Sequence, residues 1–297
     1  AMGLDVVGIE AFEPAHRQGS SHGHSRIIRL AYFEDARYVP MAQRSLELWQ
    51  RLERESGERI FERTGGLDGG APDGRLFAGA LGSCEVHGLA HEVLDAAAVR
   101  QRFPAFRVRP GEHFVFQPDA GSLDPERGIE AHVRMAEALG AQVMTGCRVL
   151  CWRVDEDAID LELDNHRHVR AKSLILAAGP WSTEVLSSGP RSVALTAPTL
   201  NVERQVVGWF DPPERGAFDP GVMPVFNHEG LEGHFYGFPA LDGRGPKIGR
   251  FGHLHEHVDA PLPQSVTAAD RELLQGWADV HLRGAGSLHE LSECWFT

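Results

Sequence analysis

The chain has 297 residues, 42% of them hydrophobic, and carries a net charge of −13. That length suggests one large domain or two intertwined ones, and the acidic balance excludes broad binding to nucleic acid or anionic membrane, leaving room only for a local basic pocket. No apolar run approaches a membrane span and no signal-peptide pattern precedes the first strand-like segment, which points to the cytoplasm, while four scattered cysteines are too few for a disulfide framework.

In chain order, Leu4 to Glu10 is a short β-branched run ending in an acid. It reads either as an ordinary strand with a surface Glu or as the second strand of a dinucleotide-binding unit, where Glu10 would accept from ribose hydroxyls. Gly19 to Tyr32 follows, reading GSSHGHSRIIRLAY. A helix capped by Ser25 or an earlier residue would bring Arg26 and Arg29 to one face at its positive end, beside unshielded backbone N–H groups. Such a stretch is either a solvated loop with two surface arginines or a site for carboxylate, phosphate or carbonyl oxygens.

Tyr38 to Gly57 predicts a helix with Met41, Leu46, Leu48, Trp49 and Leu52 as its apolar side, stopped by Gly57. Thr64 to Gly70 is glycine-rich with no following lysine, and so reads as a turn or strand boundary rather than a phosphate loop. Leu94 to Phe103 is a short helix with Asp95 at its cap and Pro104 at its end. Phe114 to Leu123 suggests a strand and turn. Asp124-Pro125 starts a helix that runs to Leu139. Strands follow at Ala141–Met144, Arg148–Val154 and Ile159–Leu163.

Leu174 to Ala178 is a continuous apolar run leading into Gly179-Pro180-Trp181, and it predicts a buried strand at the centre of a parallel sheet. Beyond Leu200, strands are expected at Val202–Phe210, Gly233–Phe238 and Gly245–Gly249, an amphipathic helix at Ala268–Leu282, and a strand start near Glu293.

His253, His255 and His257 lack a fourth ligand at sensible spacing and read as an exposed polar loop, so no metal site is expected. Cys147 and Cys151, four apart in an extended stretch, lie roughly 13 Å from each other and are not a disulfide. No G-x-S-x-G, H-E-x-x-H or P-loop is present, which argues against the common hydrolases and NTPases.

Taken in register, Ala11–Pro14, Gly19–Gly23, Ser25–Tyr32, Tyr38–Pro40, Arg44–Trp49, Gly179–Trp181, Arg204–Gly208, Phe235–Pro239, Lys247–Gly249 and Cys294–Thr297 carry a family likeness over nearly the whole chain. The chain resembles the monomeric sarcosine oxidase and N-methyltryptophan oxidase group of FAD-dependent amine oxidases, within the D-amino acid oxidase-like superfamily. The resemblance implies an α/β fold, with an FAD-binding Rossmann-like domain (residues 1–62 and 123–198) interleaved with an antiparallel-sheet substrate domain (63–122 and 199–297).

It also implies roles for particular residues. Glu10 would bind ribose; Ser20, Ser21 and His22 would line the flavin, with Arg26 close to its ring. Val149 would meet the adenine side, and Gly179 with Trp181 would form a second flavin-binding turn. Arg29 would pair with a substrate carboxylate, Tyr236 would sit over the substrate, and Lys247 would assist electron transfer to dioxygen. Cys294 matches the cysteine that carries flavin as a thioether.

The implied reaction is oxidation of a secondary amine, an N-methyl or cyclic amino acid, to an imine, with dioxygen reduced to hydrogen peroxide. The expected partners are therefore a small amine and dioxygen. The family pattern has an N-terminal strand with a glycine-rich loop and a C-terminal segment that this chain lacks, and Phe251 stands where the family has a histidine, with His253 two residues on. A non-catalytic fragment, a partner subunit and a flavin dehydrogenase of the same fold are the other readings these features allow.

Overall fold

The computed structural model describes residues 3–191, 200–258 and 265–296. The fold is a mixed α/β arrangement dominated by a nine-stranded sheet. In spatial order the sheet runs His257–Val258, Val202–Asp211, Lys247–Arg250, Gly233–Phe238, Val225–Gly230, Gly66–Gly70, His113–Gln117 and Glu92–Asp95, with Ser287–Phe296 also paired to Val202–Asp211. Only Val225–Gly230 against Gly66–Gly70 is parallel; the other pairs are antiparallel.

Because side chains alternate across a strand, this sheet has two unlike faces. Leu67, Phe114, Phe116, Val206, Phe210, Phe226, Phe235 and Ile248 fill one face and pack with Leu274 and Trp277 of the helix Ala268–His281, forming the main core. The helix Ala96–Arg102 covers the same core through Ala96 and Val99, its cap set by Asp95 accepting from Ala98 N. Cross-strand register places Cys294 beside Gln205, Trp209 beside Lys247, Gly249 beside Tyr236, and Asn227 beside both Tyr236 and Asp68. The opposite face is therefore the chemically varied one.

Three smaller sheets complete the molecule. Val7–Ile9 pairs in parallel with Gln142–Met144. Val149–Val154, Ile159–Leu163 and His168–Ala171 form an antiparallel meander, and Gly121–Leu123 lies between Arg26–Ile28 and Phe61–Glu62. The helix Val39–Ser56 ends at Gly57, whose φ of 74° suits the left-handed cap. Pro125–Ala138 starts from Asp124, whose carboxylate accepts from Arg127 N. No helix among the described residues is long and apolar enough to cross a membrane.

Several sequence expectations need correction. Arg26 does not open a helix: Arg26–Ile28 is a strand bonded to Gly121–Leu123, as the β-branched pair Ile27-Ile28 favours. Residues three apart then no longer share a face. Leu174–Ala178 is not a strand among the described residues, and Ile175 is 88% exposed, because no neighbouring strand is there to pair with it.

Gly66–Gly70 is a fully buried central strand rather than a boundary; its glycines let neighbouring chains approach, and a Cβ on Gly70 would meet Glu229 O at 2.1 Å. On Val39–Ser56 the buried residues are Val39, Ala42, Leu46 and Leu52, while Met41 and Leu48 face solvent. The helix Arg75–His87 was not anticipated. His253 is fully buried instead of lying in an exposed loop, since its Nε2 pairs with Asp270 Oδ1 at 2.7 Å. Cys147 and Cys151 are both unpaired, as expected.

Candidate functional site

One end of the site is a cleft of about 630 Å³ along the C-terminal ends of the parallel pair Val7–Ile9 and Gln142–Met144. Its walls include Glu10, Ser20, Ser21, Val149, Gly179 and Trp181, so six of the residues singled out in the sequence converge there. The Glu10 carboxylate accepts from Phe12 N at 2.9 Å and lies 3.6 Å from His16 Nε2. His16, Phe12 and Trp181 make an aromatic group at the mouth, with ring centroids 4.6–6.4 Å apart. His16, Cys147, Arg148 and the Leu174–Ala178 segment also line the cleft. Sequence reasoning missed His16; its only signal was its place six residues after Glu10.

The loop leading from this cleft is held by an internal carboxylate. Glu126, in the first turn of Pro125–Ala138, accepts from Gly23 N at 2.8 Å and from His24 N at 3.2 Å. These two N–H groups, expected to face a ligand, are therefore already occupied. Arg26 donates from Nη1 to Ser25 O at 2.8 Å and from Nη2 to Ser20 O. His22 is buried, its Nε2 has no hydrogen-bond partner among the described residues, and burial together with Arg26 lowers its pKa to about 4. It is a neutral ring at neutral pH.

On the varied face of the large sheet sits Lys247, 2% exposed. Its Nζ donates to Gly23 O at 2.9 Å and Ser25 O at 3.1 Å, and lies 4.2 Å from the centre of the Phe238 ring. Burial first, then the Arg26 charge, push its pKa well below the usual lysine value. Tyr236 shares this face, and burial holds its phenol protonated. The Cys294 thiol is raised by burial, against the pull of Arg26 and Lys247. Arg26, Tyr236, Lys247 and Cys294 are thus electrostatic neighbours, although they come from four strands.

Arg29 lies near Asp68 and His234, and its charge bears on both. Its guanidinium is held by Glu34 at 2.9 and 3.2 Å and lies 4.8 Å from the ring centres of both Tyr32 and Phe33. Phe251 is 56% exposed and lies 5.6 Å from the His234 ring. His253 is turned to Asp270 on the helix-covered side and does not reach the varied face. An imidazole that does reach it is His234, two residues before Tyr236, which sequence reading passed over. Its only signal was alternation, two residues before Tyr236 on one strand.

This donor set fits a flavin dinucleotide. The cleft offers an acid at a strand end and largely apolar walls, and His22, which follows the cleft-lining Ser20 and Ser21 and feels the Lys247 charge, keeps an Nε2 with no hydrogen-bond partner among the described residues.

The family described as FAD dependent oxidoreductase matches residues 1–296. Monomeric sarcosine oxidase of Streptomyces avermitilis is 36% identical over 251 residues, which is 84% of this chain and 63% of that protein. The monomeric sarcosine oxidase of Bacillus sp. strain B-0618 is 34% identical over 99% of this chain and 75% of its own length. N-methyl-L-tryptophan oxidase of Escherichia coli K12 is 32% identical, covering 90% and 70%. The chain thus spans about two thirds to three quarters of these relatives. Among solved structures, the open form of NikD, an amino acid oxidase of nikkomycin biosynthesis, superposes with a TM-score of 0.82 at 21% identity over 99% of this chain and 75% of that one.

Proposed function

The chain belongs to the family of FAD-dependent oxidoreductases, and from that premise we propose that it oxidises a secondary amine, an N-methyl or cyclic amino acid of the sarcosine type, to the imine. The observation that carries this reading is the meeting of Tyr236, Lys247 and Cys294 on one sheet face with Arg26, whose charge reaches all three from the separate strand Arg26–Ile28, together with a cleft lined by Glu10, Ser20, Ser21 and Trp181. When bound, FAD would supply the two-electron acceptor, with dioxygen as the final oxidant and hydrogen peroxide as its product. Glu10, Ser20, Ser21, His22, Arg26, Val149, Gly179 and Trp181 are the residues to hold it, and Cys294 the one to form a thioether with it.

The chain's own groups then have distinct tasks. Arg29 offers a bidentate fork to the amino acid carboxylate, with Glu34 as the partner exchanged. Tyr236, kept protonated by burial, closes over the substrate as a neutral hydrogen-bonding wall. Lys247 Nζ, anchored by two carbonyls, can hold or release a proton where dioxygen is reduced. This last feature favours an oxidase over a dehydrogenase that feeds a separate carrier. Four unpaired cysteines support a reducing, cytoplasmic setting.

The test is direct. The chain is expressed with FAD available, denatured in acid and examined for yellow colour that stays with the polypeptide. Cys294→Ser should release that colour on denaturation, and sarcosine should yield peroxide. If no flavin co-purifies with the wild-type chain, the reading fails. Flavin still attached in Cys294→Ser would overturn the thioether assignment alone.

A further inference from the structure

Asp68 is 2% exposed on the varied face of the sheet and has no task in the chemistry above. Its Oδ2 accepts from Gln117 Nε2 at 3.0 Å and its Oδ1 from Asn227 Nδ2 at 2.7 Å. Gln117 and Asn227 are themselves buried. An amide has one donor end and one acceptor end, so a carboxylate that takes both NH2 groups dictates where both amide oxygens point.

Gln117 Oε1 is thereby turned to the backbone of the segment that follows Arg29, accepting from Leu30 N at 3.1 Å and Ala31 N at 2.7 Å. Asn227 Oδ1 is turned to His234 Nε2, 3.4 Å away. That contact fixes the Nε2–H tautomer and leaves Nδ1 as a lone pair. His234 lies edge-on to Phe33, the ring that also flanks the Arg29 guanidinium. One buried carboxylate thus orients both the arginine's backbone and the imidazole beside it.

We propose that Asp68 is the positioning residue of the carboxylate subsite at Arg29, and that through Gln117, which holds the backbone after Arg29, it makes the site prefer amines bearing a carboxylate over amines without one. The proposal rests on the amine-oxidase reading for its substrate. Its geometric content, a built subsite for a small carboxylate, does not. His234 stays uncharged at neutral pH, because burial lowers its pKa to about 4, so Arg29 alone supplies the positive charge, and the imidazole, its Nε2–H spent on Asn227, is a neutral wall that offers the carboxylate no donor. An uncorrected carboxamide at position 68 would present a donor to one of the two NH2 groups, and one arm of the network must let go.

The test uses Asp68→Asn in the flavin-loaded chain. With sarcosine, KM should rise at least about 10-fold while kcat stays within about twofold. With N-methylbenzylamine, which has no carboxylate, kcat/KM should be unchanged. Equal losses on both amines, or no change on either, would overturn the proposal. Gln117→Met, which keeps bulk but removes the acceptor for Leu30 and Ala31 N–H, should reproduce the KM effect and serves if Asp68→Asn does not fold.

A second readout is independent of turnover: acetate titrated calorimetrically against the wild type, Arg29→Gln and Asp68→Asn. Acetate binding lost in Arg29→Gln and weakened in Asp68→Asn supports the subsite, even if the wild-type chain proves to oxidise no amine. Acetate that binds Asp68→Asn as well as the wild type, or fails to bind the wild type, refutes it.

Discussion

Replacing Arg204 by Met tests whether the fold depends on a charge held out of water. Arg204 is 1% exposed and Asp270 fully buried. The guanidinium meets Asp270 at 2.8 and 3.0 Å, Glu256 at 2.9 Å and Glu293 at 3.3 Å. Asp270 also accepts from Thr267 N at 2.6 Å and lies 2.7 Å from His253 Nε2. Arg204→Met leaves a buried carboxylate without its cation and two further carboxylates facing it. Stripping one partner from a buried pair costs about 3–5 kcal/mol, and at about 2 °C per kcal/mol for a chain of this size the unfolding midpoint should fall by about 6–10 °C. Calorimetry or urea unfolding of the flavin-loaded chain measures it. The double variant Arg204→Met/Asp270→Leu should regain much of the loss, since removing both charges leaves neither one stranded. A single-variant loss below about 1 kcal/mol, typical of an exposed pair, or a double variant equal to the sum of the two singles, would refute the reasoning.

Other outcomes follow from local geometry. Gly57→Ala meets no atom within 4 Å but forces a φ of 74° on a side-chain-bearing residue, so it should cost about 1 kcal/mol without touching activity. Gly249→Ala places a Cβ 2.6 Å from Tyr236 Oη; about 1–3 kcal/mol of overpacking is expected, and turnover should fall with it because Tyr236 must move. Lys247→Met should lower peroxide formation by about 10²-fold while anaerobic reduction by the amine persists, as rapid-mixing absorbance would show.

The His22 ring stays neutral in the folded chain down to about 4, against 6.5 in the unfolded chain. Between these values the unfolded state binds more protons, so stability is complete above pH 6.5 and is lost as pH falls toward 4. The loss is roughly 3 kcal/mol at 1.36 kcal/mol per pH unit. Urea midpoints across this range should flatten in His22→Gln; an unchanged slope would contradict the assignment.

What could be read in advance was what local chemistry decides. Asp95, Asp124 and Gly57 set helix ends through their own side chain or backbone freedom, and the structure keeps all three ends within two residues. The large-sheet strands around Val202, Gly233 and Lys247 were visible for the same reason. Partners distant in sequence decided the rest. Arg26–Ile28 becomes a strand because Gly121–Leu123 pairs with it, about 95 positions on. Gly66–Gly70 looks like a turn until Val225–Gly230 and His113–Gln117 enclose it. Leu174–Ala178 has the composition of a sheet centre, but composition cannot supply a neighbour. At the site, Lys247, Tyr236 and Cys294 came from a family likeness, whereas Asp68, His234 and Glu126 have no motif and emerge only from who bonds to whom.

The strand Ser287–Phe296 holds one irregularity of larger consequence than its size. Trp209 faces Glu290 and Phe210 faces Leu288, so His289 has no partner and the strand carries one surplus residue. Before it, Leu288 points to the core; after it, Leu291 does too, although an unbroken alternation would send one of them to the other side. The surplus residue resets the parity, and the reset turns Cys294 toward Gln205 and the varied face instead of into the helix layer. Deleting His289 would leave the chain a choice between losing an anchor in the core and rotating its thiol out of reach. A single unpaired histidine thus acts as the phase setting for a residue five positions away, and an insertion or deletion here would be read out in chemistry before it was read out in stability.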